Sequence, residues 1–130
     1  MTSVRPIQPL HQGRYALGID VGGTKIAGAI VDLESGAVSC RRQVATDYQR
    51  GGVAILADTL ALAHALRAEA ARLGKTVEAL GLGVAELVNP KGQIFSDHRI
   101  QWTGLDVAGT LSAVLPTVIS SDVRAAALAE

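Results

Sequence analysis

Two short apolar stretches, Leu17 to Val21 and Ile26 to Asp32, stand on either side of a Gly-Gly turn and predict two β-strands. Asp32-Leu33-Glu34-Ser35-Gly36 has the composition of a turn, and Ala37 to Ala45 reads as a third strand. The chain is therefore expected to open with a three-stranded meander. After Gly51-Gly52 the period changes. From about Val53 to Leu73, the residues Val53, Leu56, Leu60, Ala63, Ala70 and Leu73 recur at helical spacing and predict a long helix with that face inward. Gly74 followed by Lys75 suits its end. Leu80 to Val84 is a short, continuously apolar run, as expected of a central strand parallel to the first. Asn89-Pro90-Lys91-Gly92 then reads as a turn and Ile94-Phe95 as a short return strand. A second helix is expected over Leu105 to Leu115, opened by Thr103 or Asp106 and closed by Pro116. Thr117 to Ser120 is a last strand, and Asp122 opens an Ala-rich third helix running to Glu130. That helix has no stop signal, and so short a helix is marginal alone. The chain is therefore expected to be the amino-terminal part of something longer.

Composition narrows the fold class. Hydrophobic residues make up 48% of the 130 but aromatic ones only 3%, so Leu, Val, Ile and Ala must build the core. That suits an α/β domain with helices on the faces of a mixed sheet. One domain is expected over residues 14–130, after a flexible leader at 1–13. The formal net charge is zero, so nothing suggests a nucleic-acid partner, whose binding needs a basic face. Cys40 is the only cysteine, so there is no internal disulfide and no cysteine-rich zinc site within the chain. The same usage fits a reducing, cytoplasmic compartment. No apolar run approaches membrane-spanning length, and Met1 to Gly13 lacks the apolar segment of a signal peptide.

The chemistry concentrates at the first turn. The strand from Leu17 ends in Asp20, and Gly22-Gly23-Thr24-Lys25 leads at once into the next strand. Such a turn gathers one carboxylate, several free backbone N–H groups, a hydroxyl and an ammonium. The N–H groups form an anion-binding concavity. The carboxylate of Asp20 can hold Mg²⁺ directly or through water, since that ion prefers oxygen ligands and keeps several waters. The set suits a nucleotide phosphate with its metal. A plain hairpin corner, with glycines supplying the backbone freedom, is the alternative. The P-loop pattern does not fit, because Thr24 precedes Lys25 and a strand follows, and the dinucleotide pattern G-x-G-x-x-G is absent here.

A second candidate stands at Asp122. Thr117 to Ser120 runs an apolar strand straight into a helix start, and open α/β sheets bind ligands at the carboxyl ends of their strands. A carboxylate there can serve as general base, or it can simply cap the helix.

Taken in order, Asp20-Val-Gly-Gly-Thr-Lys25, Gly81 to Gly92, Trp102 and Asp122-Val-Arg-Ala-Ala-Ala-Leu-Ala-Glu130 resemble the amino-terminal half of the ROK family (repressor, open reading frame, kinase). That family holds bacterial glucokinases, related hexose kinases and sugar-responsive repressors. The resemblance implies a ribonuclease-H-like domain of the actin and hexokinase ATPase type. It further implies ATP and Mg²⁺ at Asp20, Gly22, Gly23, Thr24 and Lys25, a catalytic role for Asp122, and a small sugar as substrate. The zinc motif and second domain of typical members would lie beyond residue 130, and a homodimer is one state open to the full-length form. The 130 residues alone are then expected to be inactive, since phosphoryl transfer depends on positioning between two domains.

The sugar corner departs from the family pattern. Val84-Ala85-Glu86 stands where Val-Pro-Gly is usual, and Asp97-His98 stands where Pro-Asn precedes the Trp. Ser121 replaces an Asn beside Asp122, and Arg124 replaces another two residues on. Glu86, His98, Ser121 and Asp122 are thus the candidate sugar contacts. The alternatives to an ATP-dependent hexose kinase are a sugar-sensing regulator and a decayed member without turnover. Met1 to Arg14 is too short for the helix-turn-helix of such regulators, which favours the kinase.

Overall fold

The computed structural model describes residues 14–22, 24–84, 102 and 104–120. Its elements are β1 (Tyr15–Val21), β2 (Lys25–Asp32), β3 (Val38–Ala45), α1 (Gly52–Arg72), β4 (Val77–Val84), α2 (Val107–Ser112) and β5 (Thr117–Ser120), with a 3-10 turn at Tyr48–Arg50. The strands form one mixed sheet in the order β3-β2-β1-β4-β5. The meander β1-β2-β3 is antiparallel, and β4 and β5 join parallel on the other side of β1. The expected mixed α/β architecture is thus present, with β4 parallel to β1 as its apolar run predicts. β4 also starts earlier than expected, because Val77 pairs with Tyr15 below the apolar run. The predicted turn at residues 89–92, the return strand Ile94-Phe95 and the helix from Asp122 lie outside the described residues.

The two faces of the sheet differ in side-chain size. Register aligns Ile30 with Leu17 and Leu80, and Ile19 with Leu82 and Ile119. These branched side chains are buried and form the core with α1 and α2. One residue along each strand the side chains switch face. There the rows read Ala29-Gly18-Gly81-Val118 and Ala27-Asp20-Gly83-Ser120. The second face is therefore floored by glycine and alanine, with Asp20 as the carboxylate of its last row.

Helix α1 packs through Ile55, Thr59, Leu62, Ala63, Leu66 and Ala70. This corrects the predicted stripe. Val53 is 71% exposed and Leu73 43%, while Leu56 and Leu60 are only partly buried. Alanine and leucine lie on several sides of the helix, so sequence period alone separates the stripes poorly. The sheet decides between them. Gly28 leaves a gap that Leu62 and Leu66 fill; a Cβ there would lie 2.8 Å from Leu66 Cδ1. Thr59 is tolerated inside because its hydroxyl donates to the Ile55 carbonyl at 2.8 Å. The helix ends as predicted, with Gly74 at φ 74° and the Lys75 N–H donating to the Ala70 carbonyl at 2.8 Å. At its start the Trp102 indole Nε1–H donates to the Gly52 carbonyl at 2.7 Å.

Helix α2 is shorter than the predicted Leu105 to Leu115. Asp106 is its N-cap, accepting from the Gly109 N–H at 2.9 Å. At the other end the Val114 N–H donates back to the Leu111 carbonyl at 2.9 Å, which tightens the last turn before Pro116. In β3 the register slips by one residue between Gly28↔Arg42 and Ile30↔Ser39. Cys40 takes up the slip in the left-handed region, at φ 56°.

The start of β1 is fastened by Arg14, whose Nη2 lies 3.0 Å from Asp32 Oδ2. The guanidinium hydrogen bond, helped by the Glu34 and Ser35 N–H groups, lowers the Asp32 carboxyl from 3.8 to about 2. A depressed carboxyl stabilises the fold above its ordinary range and loses that contribution as pH falls toward its folded value. The stability advantage of the native protein over Asp32→Asn should therefore be complete above about pH 5 and vanish near pH 2. Unfolding midpoints of the two proteins across that range check this; a difference that stays constant contradicts it.

Candidate functional site

The turn between β1 and β2 is tight. The Gly22 N–H donates to the Lys25 carbonyl at 2.9 Å, closing the hairpin directly after the Val21↔Ile26 pair. A Cβ on Gly22 would lie 3.3 Å from that carbonyl, a tight contact that a side chain would relieve only by a small shift, so glycine suits the close approach. This revises one sequence expectation, that the turn offers several free N–H groups. The N–H of Gly22 is committed to the hairpin, and what Gly22 brings is bare backbone. Thr24 and Lys25 are exposed at the tip, and Gly23 lies outside the described residues.

Asp20 sits two residues before Gly22, on the small-residue face, between Ala27 and Gly83. Burial raises its carboxyl above the usual range, and the charge of Lys25 works against that rise. A carboxylate that is partly desolvated and faces one lysine is short of positive charge. A divalent cation would supply it, and Asp20 is the carboxylate placed to do so. Among the described residues no cluster of three or more His, Cys, Asp or Glu forms a metal cage. A single carboxylate fits Mg²⁺ that arrives with phosphates and keeps its waters, since such sites use only one or two protein carboxylates.

Beside Asp20 the small-residue face forms an open cavity of about 500 Å³, floored by Gly18, Ala27 and Ala29 and walled by Val38, Arg41 and Gln43. The tip of the turn does not line it. Arg41, Arg42 and Gln43 all border it, and the Arg42 guanidinium also reaches Glu69 of α1 at 3.9 Å.

Of the predicted site residues, Asp20, Gly22, Thr24 and Lys25 gather at one end of the sheet. Glu86, His98, Ser121 and Asp122 lie outside the described residues, and their assignment rests on sequence. Sequence reading missed Thr46, whose N–H donates to the Thr24 carbonyl at 2.8 Å. Thr46 is far from the turn along the chain, and only the β2-β3 register brings it there. It carries no local signal.

Among the described residues no helix is long and apolar enough to cross a membrane. Comparison with known proteins gives the lineage. The ROK family model matches residues 16–130. A glucokinase of Streptomyces coelicolor is 32% identical over 117 residues, which are 88% of this chain and 34% of that protein. A kanosamine kinase of Amycolatopsis mediterranei is 35% identical over 104 residues, 78% of this chain and 32% of that protein. The crystal structure of a ROK family glucokinase from Streptomyces griseus, in complex with glucose and AMPPNP, superposes with a TM-score of 0.66 at 30% identity. That match covers 82% of this chain and 32% of the other. The chain therefore spans about a third of the length of the relatives it matches. With the hairpin, the parallel extension through β4 and β5 and this match over nearly the whole chain in hand, the protein belongs to the ROK family and carries the actin and hexokinase type of ATPase fold.

Proposed function

We propose that this chain is the amino-terminal domain of an ATP-dependent sugar kinase that phosphorylates a hexose. The observation that carries the reading is the alignment of Asp20, Gly83 and Ser120 in one row across three parallel strands, beside the Gly22–Lys25 turn. Adjacent strands are about 4.8 Å apart, so β5 delivers the chain two strand spacings from Asp20. Asp122 follows two residues later in sequence. The chain thus leaves β5 at the end of the sheet where the Gly22–Lys25 turn stands, two residues before the proposed base. The names of the relatives, a glucokinase and a kanosamine kinase, support a sugar as acceptor.

In this reading the bare backbone at Gly22 lets the nucleotide phosphates approach, and the ammonium of Lys25 meets them as a point charge. Asp20 would hold Mg²⁺, which supplies neutralisation of phosphate charge when bound. Asp122 accepts the proton of the sugar hydroxyl as its oxygen bonds to the γ-phosphorus and the bond to ADP breaks. Glu86, His98 and Ser121 are the proposed sugar contacts. Each differs in reach from the family's usual residue, so the sugar preference is expected to differ as well. Ser121, for one, offers a single hydroxyl where an Asn would offer a paired amide.

The test is ADP release by the protein at its full natural length, given Mg²⁺-ATP with a panel of hexoses, amino-hexoses and N-acetylhexosamines. Sugar-dependent ADP is expected with one class of the panel. Absence of sugar-dependent ADP across the panel rejects the kinase reading in favour of a sensor or a decayed member without turnover.

A further inference from the structure

Among the described residues, one buried polar atom close to the turn has no partner. The hydroxyl oxygen of Thr46 is shielded from solvent and makes no hydrogen bond there. Buried hydroxyls are ordinarily bonded, so each exception asks for a reason. The position of Thr46 suggests one. Its N–H donates to the Thr24 carbonyl at 2.8 Å, and it follows Ala45, which pairs with Lys25. Thr46 is thus fixed through its backbone to the two exposed residues at the tip of the turn, while its side chain stays unsatisfied.

We propose that Thr46 is a positioning residue for the Gly22–Lys25 turn, its hydroxyl gaining its hydrogen bond when an anion seats on the turn. The free protein then holds the hydroxyl unpaired, and phosphate binding recovers a bond that the free protein lacks. The inference rests on the nucleotide reading above and adds to it a residue outside the motif. Asp47 and Gln49 close their own turn beyond Thr46, the Gln49 N–H donating to Asp47 Oδ1 at 2.9 Å. That local bond does not involve the Thr46 hydroxyl.

Thr46→Val keeps the shape and removes the hydroxyl; Thr46→Ser keeps the hydroxyl. In the full-length protein, Thr46→Val should leave the unfolding midpoint of the free protein unchanged or raised, because an unpaired buried group is replaced by an apolar one. It should weaken Mg·ADP binding, followed by titration calorimetry, by about three- to ten-fold, the worth of one hydrogen bond. Thr46→Ser should bind Mg·ADP like the native protein. Equal affinity in Thr46→Val and native protein overturns the inference while leaving the nucleotide reading in place. A lowered midpoint in free Thr46→Val but not Thr46→Ser also overturns it, since the hydroxyl would then be bonded before any ligand arrives. No binding of Mg·ADP by the native protein overturns the nucleotide reading and this inference with it.

Discussion

Asp122→Asn in the full-length protein is expected to lower turnover by about 10²- to 10⁴-fold, the usual contribution of a general base. Asparagine matches aspartate in size and can still accept a hydrogen bond from a helix N–H, so a capping role would largely survive the change. It cannot take up a proton at neutral pH. The substitution thus separates the two roles that the position allows. If Asp122 only caps a helix, turnover stays near the native value. If it accepts the sugar proton, turnover collapses while the unfolding midpoint moves little. The proposed nucleotide contacts are on β1, β2 and the turn between them, so the affinity for Mg·ADP should stay within about two-fold, a shift smaller than one ordinary hydrogen bond. Sugar-dependent ADP release and nucleotide titration on the same preparation check both parts. A native rate in Asp122→Asn excludes the general-base role.

The largest expected effect on stability belongs to Trp102→Ala. Trp102 is wholly buried and joins the core that α1 and α2 share with the sheet. Its indole N–H is bonded to the Gly52 carbonyl, so one side chain both fills volume and fastens the first residue of α1. Removing a buried aromatic of this size costs about 3–5 kcal/mol. Against a total stability of about 5–15 kcal/mol for an ordinary domain, that is a large fraction. Trp102→Phe restores most of the volume but not the hydrogen bond, and should recover all but about 1–2 kcal/mol. Urea midpoints of the three proteins provide the comparison. A loss below about 1 kcal/mol in Trp102→Ala would contradict the packing described here.

Both residues could be singled out from the sequence, but for different reasons. The strands β1 and β2 are legible because two short apolar stretches flank a Gly-Gly turn. The end of α1 is legible because a glycine followed by lysine, directly after a helical period, favours a left-handed stop. The packing face of α1 was not legible. Its choice depends on the hole at Gly28, which belongs to another strand and leaves no trace in the helix. The length of α2 was overestimated for a related reason. Leu115 is apolar and near helical phase, yet it packs from a closing turn and not from the helix. At the site, Asp20 and the turn could be read because their residues are contiguous. Thr46 could not, since its proximity arises from pairing between strands. The commitment of the Gly22 N–H was equally hidden, because the residue types that bind an anion also close a hairpin.

The slip at Cys40 bears on how two copies of this domain would meet. β3 is the outermost strand on its side of the described sheet, and an outer strand offers unpaired backbone groups to any neighbour of similar shape. A bulge bends such a rim and breaks its hydrogen-bonding rhythm, and Arg41 adds a charge to it. A second β3 laid against the first would have to match that bend. The rim is therefore built against sheet-to-sheet stacking and the aggregation that follows from it, and the single left-handed residue that sets the phase of β3 also serves as a guard on solubility.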